Sequence, residues 1–190
     1  MWLMHIMASN LGFLIDVDGF ELDRVFLVKE LAIGYFKSAR IELYSYKVGD
    51  YSLLTSAQQR QVSWLTRHIH GLEFDSKDDE HPQSRVADHI LDVCRKAEQS
   101  NTLIGYKGGH FELDLLREAG YEHLGFNIEQ LAYPKLESLF AEYPYAHRES
   151  CPNHKGVVAK LKRFTIAHCP RMEVYCFMRY TMRLILNNPD

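Results

Sequence analysis

Two aspartates, Asp16 and Asp18, lie two residues apart in an otherwise apolar run near the start of the chain. The run has the composition of a short β-strand, in which residues two apart share a face. Two carboxylates side by side on such a strand repel each other and lose hydration, so a compensating charge is needed. Hard oxygen ligands suit Mg²⁺ or Mn²⁺. The pair therefore predicts a divalent-cation site, unless the strand ends there and water hydrates both acids.

Further acids lie where helices are expected to begin. Glu112 and Asp114 follow a strand and a glycine turn, and a helix starting there can direct one carboxylate back toward the end of that strand. The spacing does not decide between the two. Pro170 suits the first turn of the last helix, which places Glu173 in that turn and His168 just before it. A histidine beside a carboxylate can act as a general base toward water.

A cysteine–histidine motif precedes the last helix. Cys151 and His154 form a Cys-x-x-His step, and Cys169 follows 15 residues after His154. These residue types are zinc ligands, and the first step is as tight as those of zinc sites. A fourth ligand is needed, and the spacing alone permits His168 or a carboxylate elsewhere. The alternative is that the cysteines are incidental and that His154 lies on the surface.

The composition is that of a folded protein with an uneven charge distribution. The 190 residues are 46% hydrophobic and 12% aromatic, which excludes disorder as the main state. The net charge of −3 conceals a basic end, because residues 147–190 carry +5 and residues 1–146 carry −8. That end is either a solvated surface or a contact for the nucleic-acid backbone. The candidate contacts are Lys155, Lys160, Lys162 and Arg163.

The chain also carries signals of its compartment. Four cysteines are too few for a disulfide scaffold, and the first residues lack a signal-peptide pattern. No apolar run approaches the ~20 residues that span a bilayer. We therefore expect an intracellular protein of the cytoplasm or nucleus that has no membrane partner.

Periodicity and turn residues predict the strands and helices that carry these residues. Strands are expected at residues 12–18, 25–36, 41–48, 102–106 and 123–128. Helices are expected at residues 57–70 with Ser56 as N-cap, after Ser84, at 111–116, at 134–142 and from Pro170 to about Leu186. Residues 75–82 are expected to form a charged loop, and Trp64 is expected in the core. The order predicts a single α/β domain over residues 1–190, with a mixed five-stranded sheet and helices on both faces.

In combination, these motifs resemble the DEDD exonuclease superfamily with a histidine (DEDDh), which has a ribonuclease H-like fold. The shared features are acid-x-acid on the first strand, Phe-acid at Phe111-Glu112, and His-x₄-acid at the start of the last helix. The sequence also resembles the exonuclease domain of arenavirus nucleoproteins. That domain too places a Cys-x-x-His step, then a Gly-Val-Val and Lys-rich stretch, ahead of His-Cys and the last acid.

The resemblance implies a 3′–5′ exonuclease acting on RNA or DNA, with RNA favoured. It implies that two Mg²⁺ or Mn²⁺ ions are held by Asp16, Asp18, Glu112 and Glu173, and that His168 activates the attacking water. It also implies a structural zinc site. The zinc ligands would be Glu30 from the second strand together with Cys151, His154 and Cys169.

Three acids differ in length from the superfamily pattern. Asp18 stands where the superfamily has Glu, whereas Glu112 and Glu173 stand where it has Asp. Each change moves a carboxylate by about one methylene, and a misplacement of about 1 Å can cost on the order of 10²-fold in rate. The alternative function is therefore a catalytically decayed exonuclease fold that binds nucleic acid or a protein.

Overall fold

The structure, a computed structural model, describes residues 7–143, His154 and residues 168–186. The strands within these ranges are β1 (Leu11–Leu22), β2 (Val25–Tyr35), β3 (Arg40–Lys47), β4 (His81–Pro82), β5 (Leu103–Tyr106) and β6 (Gly125–Asn127). The main helices are α1 (Ser56–His68), α2 (Arg85–Ser100), α3 (Phe111–Glu118), α4 (Leu136–Glu142) and α5 (Pro170–Leu186). In the part of the chain so described, no helix is long and apolar enough to cross a membrane.

All six strands belong to one mixed sheet, in the order β4-β3-β2-β1-β5-β6. The strands β1, β2 and β3 form the antiparallel meander that the sequence predicts, and β5 and β6 extend it in parallel on the other side. The α/β class is confirmed, but the prediction of five strands is wrong. The additional strand, β4, lies within the predicted charged loop. Its two residues are too few to show an alternating pattern, and Pro82 is tolerated because β4 is an edge strand.

Helices cover both faces of the sheet. On one face, Phe13, Ile15 and Val17 of β1 pack against α2. On the other face, Leu14 packs in a core with α5, and α5 approaches β2 closely because Gly34 has no side chain to keep it away. Side chains alternate along a strand, so the acids that follow Leu14 at two-residue intervals face α5.

A β-bulge interrupts the pairing of β1 with β2 directly after Asp18. Asp18 pairs with Glu30, whereas Gly19 pairs with Val28, so Lys29 is the extra residue. Position 19 must be glycine, because a Cβ there would collide with a backbone oxygen of β2. The bulge therefore marks the point where Asp18 and Glu30 lie opposite each other on one face of the sheet.

The helix α1 packs on the end of β1 that follows the bulge. It begins with a capping box of Thr55 and Gln58, so the predicted N-cap, Ser56, is wrong by one residue. Val62 is buried in a core with Phe20. Trp64, by contrast, is 54% exposed. The prediction that it lies in the core is wrong, because two residues along a helix turn its side chain away from the face of Val62.

Candidate functional site

Four carboxylates converge on a cleft of about 380 Å³ between β1, α3 and α5. We call this the carboxylate cleft and define it by Asp16, Asp18, Glu112 and Glu173. Asp16, Glu112 and Glu173 are buried, and Asp18 is partly buried. The structure thus brings together the four acids to which the resemblance assigned two cations.

The third acid is distinguished by its tertiary contact. The glycine turn after β5 places the start of α3 against β1, and Glu112 Oε1 accepts a hydrogen bond from the backbone N–H of Val17 at 3.3 Å. Asp114 instead pairs with Arg117 on the half-exposed side of α3. Of the two alternatives that the sequence leaves open, Glu112 lies in the cleft and Asp114 does not.

His168 lies at the mouth of the cleft, immediately before α5. Its backbone N–H donates to the carbonyl of Ile69 at 3.3 Å, which ties it to the end of α1. Its ring Nδ1 lies 2.7 Å from Glu173 Oε1. The histidine and the last acid are therefore in contact, as their spacing at the start of a helix predicts, and the ring is oriented by that contact.

The electrostatics of the cleft are unbalanced. Burial, and then the neighbouring carboxylates, raise the pKa of Asp16 well above its usual value, and burial does the same to the pKa of Asp18. Burial raises the pKa of Glu112 to about 7. The hydrogen bond to Glu173 raises the pKa of His168 to about 9. Keeping all four carboxylates ionised in this cleft is therefore unfavourable unless positive charge is supplied.

The donor set of the cleft fits divalent cations. Asp18 Oδ2 is buried and has no hydrogen-bond partner within the described residues, which is costly unless something else binds it. Lys107 also lines the cleft, but its Nζ lies 3.6 Å from Glu129. Carboxylate oxygens in this number and spacing are what Mg²⁺ and Mn²⁺ prefer.

A second group, the Glu30 cluster, is defined by Glu30, His154 and Cys169. All three are buried, and their ligand atoms lie within 4.8 Å of one another. His154 Nε2 lies 2.9 Å from Glu30 Oε2, and its Nδ1 contacts the backbone oxygen of His70. Zinc-binding histidines commonly donate their other ring N–H to a backbone carbonyl. Three of the four ligands assigned by resemblance are thus assembled, and they fit zinc in residue type.

The remaining predicted residues lie outside the part of the chain that the structure describes. They are the zinc ligand Cys151 and the basic residues Lys155, Lys160, Lys162 and Arg163. Their roles stay predictions.

Two contributions to the site were missed from the sequence. The backbone oxygen of His70 orients His154, and no side-chain pattern reports a backbone contact. Lys107 lines the carboxylate cleft, and its position directly after β5 was an available signal, because polar residues at the carboxyl end of a parallel strand often line a site.

The fold is similar to that of a viral exonuclease domain of known structure, as the motifs predict. No family model matches the sequence, and no curated protein matches it. Among solved structures, the chain is similar to the Mopeia virus exonuclease domain partially complexed with manganese. The TM-score is 0.53 at 15% identity, over 100% of this chain and 88% of that one. A full-length 3′-exonuclease gives a TM-score of 0.42 at 13% identity, over 94% of this chain and 62% of that one. At 15% identity, the likeness to the Mopeia virus domain is one of fold.

Proposed function

We propose that the chain is a metal-dependent 3′–5′ exonuclease that hydrolyses phosphodiester bonds in RNA, or in DNA. The observation that carries the proposal is the carboxylate cleft with His168 at its mouth. The fold shared with the Mopeia virus exonuclease domain, whose structure contains manganese, supports it.

The four carboxylates of the cleft would hold two Mg²⁺ or Mn²⁺ ions. When bound, such ions stabilise the charge that develops on the attacking and leaving oxygens of a phosphodiester displacement. Bound cations would lower the raised pKa values of Asp16, Asp18 and Glu112, because a nearby cation favours the ionised carboxylate and opposes the effect of burial.

His168 would accept the proton of the attacking water. Because Nδ1 contacts Glu173, the proton would be taken up at Nε2. A general base must be neutral, whereas the pKa of His168 in the metal-free protein is about 9. Cations bound by the four carboxylates would lower that pKa by repulsion. His168 would therefore become a base only when the cleft is loaded.

The Glu30 cluster would hold a structural zinc ion, with Cys151 as the fourth ligand. Cys169 directly precedes α5 and follows His168. A zinc ion bound to Cys169 and Glu30 would fasten the segment that carries the general base to β2.

The proposal is tested by degradation of oligonucleotides labelled at the 3′ or the 5′ end. RNA and DNA, single- and double-stranded, are incubated with Mn²⁺, with Mg²⁺, without added metal, or briefly with EDTA. We expect metal-dependent loss from the 3′ end that Asp16→Ala abolishes. A folded, zinc-loaded protein that cleaves none of these substrates would overturn the proposal and support the alternative, a decayed exonuclease fold that only binds.

The role of His168 is tested with a matched pair of variants. We expect His168→Ala to lower cleavage by about 10²-fold or more, in the range of general-base catalysis. His123 is exposed and lies outside the cleft, so His123→Ala is the control. A loss of less than tenfold in a folded His168→Ala protein would show that another group accepts the proton.

A further inference from the structure

The outward face of α1 carries an exposed tryptophan between two arginines. Trp64 is 54% exposed, its ring centroid lies 5.4 Å from that of His68, and Arg60 and Arg67 are exposed on either side of it along the helix. These residues line a shallow groove of about 480 Å³. We call this surface the α1 face and define it by Arg60, Trp64, Arg67 and His68.

The α1 face is positively charged, although the first 146 residues together are acidic. The helix α1 contains no Asp or Glu, whereas α2, α3, α4 and α5 each contain at least one. Among the described residues, neither Arg60 nor Arg67 has an acidic partner within ion-pair distance. Their charges are therefore available to an anionic ligand, although residues 1–146 together carry −8.

The α1 face is continuous with the carboxylate cleft. Ile69, the C-cap of α1, lines the cleft and accepts the backbone hydrogen bond of His168. With a rise of about 1.5 Å per residue, Arg67, Trp64 and Arg60 lie about 3, 7.5 and 13.5 Å from Ile69 along the helix axis. The arginines and the tryptophan thus follow one another away from the cleft.

We propose that the α1 face binds the single-stranded nucleic acid that leads into the cleft. Trp64 stacks on a base, and Arg60 and Arg67 contact phosphates on either side of it. Base stacking on an aromatic side chain combined with arginine–phosphate contacts is how proteins bind single strands without reading their sequence. The direction of the strand rests on the proposed function, whereas the binding itself does not.

The chemistry of the α1 face favours a nucleic acid over a protein partner. The described lining residues include two aromatic side chains, Tyr51 and Trp64, and no aliphatic one. The buried core of a protein interface is more apolar than the rest of a protein surface, whereas no aliphatic side chain is among the described residues that line this groove. The exposed indole of Trp64, between two arginines that have no acidic partner among the described residues, instead matches alternating bases and phosphates.

The test is a binding titration that does not depend on cleavage. Fluorescence anisotropy of labelled 12-nucleotide uridylate and thymidylate strands is measured on the full chain in an Asp16→Asn background, across a range of KCl concentrations. We expect Trp64→Ala to raise Kd roughly tenfold and Trp64→Phe to restore most of the affinity. Arg60→Gln and Arg67→Gln should each lower the slope of log K against log salt by about 0.7.

The controls separate this proposal from the proposed function. Arg95 is exposed on α2, on the other side of the sheet, so Arg95→Gln should change neither Kd nor the slope. With Asp16 intact, Trp64→Ala should lower kcat/KM more for the 12-mer than for a dinucleotide, whereas Arg95→Gln should change neither. If Kd and the slope are unaltered in variants with unchanged melting temperatures, the α1 face is not the strand path and is left to another partner, such as a protein. Altered binding without any cleavage would uphold the α1 face and refute the nuclease.

Discussion

The carboxylate cleft and the Glu30 cluster lie on the same face of the sheet and meet where Asp18 pairs with Glu30, yet they balance charge differently. In the Glu30 cluster, His154 contacts both a carboxylate and a backbone oxygen. In the cleft, four carboxylates share few positive partners, and Asp18 Oδ2 has none among the described residues. The cluster is internally compensated, whereas the cleft depends on cations from solution. The Glu30 cluster therefore suits a permanently bound structural ion, and the cleft suits cations that exchange with solution.

The pKa of His154 expresses the same contrast. Burial alone would lower it, but hydrogen bonds with Cys169 and Glu30 raise it to about 11. Without metal, a protonated His154 therefore donates a hydrogen bond to Glu30 and balances its charge. Zinc binding would release that proton, since only neutral imidazole is a ligand.

The largest effect is expected from removing a charge in the cleft. Asp18→Asn should lower cleavage by about 10²-fold or more, because a cation ligand is lost or misplaced. It should also raise the melting temperature of the metal-free protein, because it removes a carboxylate whose Oδ2 is buried without a hydrogen-bond partner among the described residues. Asp114→Asn, on the same kind of side chain outside the cleft, is the control. A stable Asp18→Asn protein with normal activity would show that the cleft does not depend on bound cations.

A smaller loss of activity but a larger loss of stability is expected in the Glu30 cluster. His154→Gln leaves Glu30 buried without its cationic partner or zinc, and such a loss costs about 3–5 kcal/mol. At about 2–4 °C per kcal/mol in a chain of this size, the melting temperature should fall by roughly 6–20 °C. Cleavage should fall by about 10–100-fold. Zinc per chain, measured by mass spectrometry, should drop with it. Unchanged zinc and melting temperature would show that the cluster is not a metal anchor.

The smallest expected effect is a pH dependence of stability that arises in the carboxylate cleft. Burial raises the pKa of Glu112 from its usual 4.5 to about 7, so the folded state keeps a proton that the unfolded chain releases. The stability of the protein without Mg²⁺ or Mn²⁺ should therefore fall as pH rises from about 4.5 to 7. Adding Mn²⁺ should reduce that fall.

Melting curves of zinc-loaded protein measure this dependence. Glu112→Gln should flatten it, because glutamine has no proton to lose, while Glu118→Gln on the exposed side of α3 should leave it unchanged. A pH profile identical in both variants would mean that Glu112 does not carry the effect.

The sequence predicted the parts of this arrangement that follow from periodicity. Alternation from residue 12 to 18 placed Asp16 and Asp18 on one face, and the proline at position 170 placed Glu173 in a first helical turn. Glu112 and Asp114 could not be separated, because both lie in the first turn of α3 and only the tertiary contact with Val17 distinguishes them. Local patterns report which face a residue occupies, but not what that face meets.

The errors have equally physical causes. A two-residue strand such as β4 has no period, so nothing in residues 75–82 could reveal it. Trp64 was expected in the core, but α1 buries the face that carries Val62, and Trp64 lies on another face. The size of a side chain does not decide its direction when the helix has another face to bury.

The bulge after Asp18 fixes the pairing register of the hairpin formed by β1 and β2. Lys29 is the extra residue there, and its ammonium donates to the carbonyl of Phe74 at 3.0 Å and pairs with Asp79. Insertions at the tip of the hairpin, between β1 and β2, leave this arrangement in place. A shift of one residue in the pairing of β2 with β1 at Glu30 would instead turn Glu30 to the other face of the sheet, away from His154. The hairpin can thus change in length at its tip but not at the bulge.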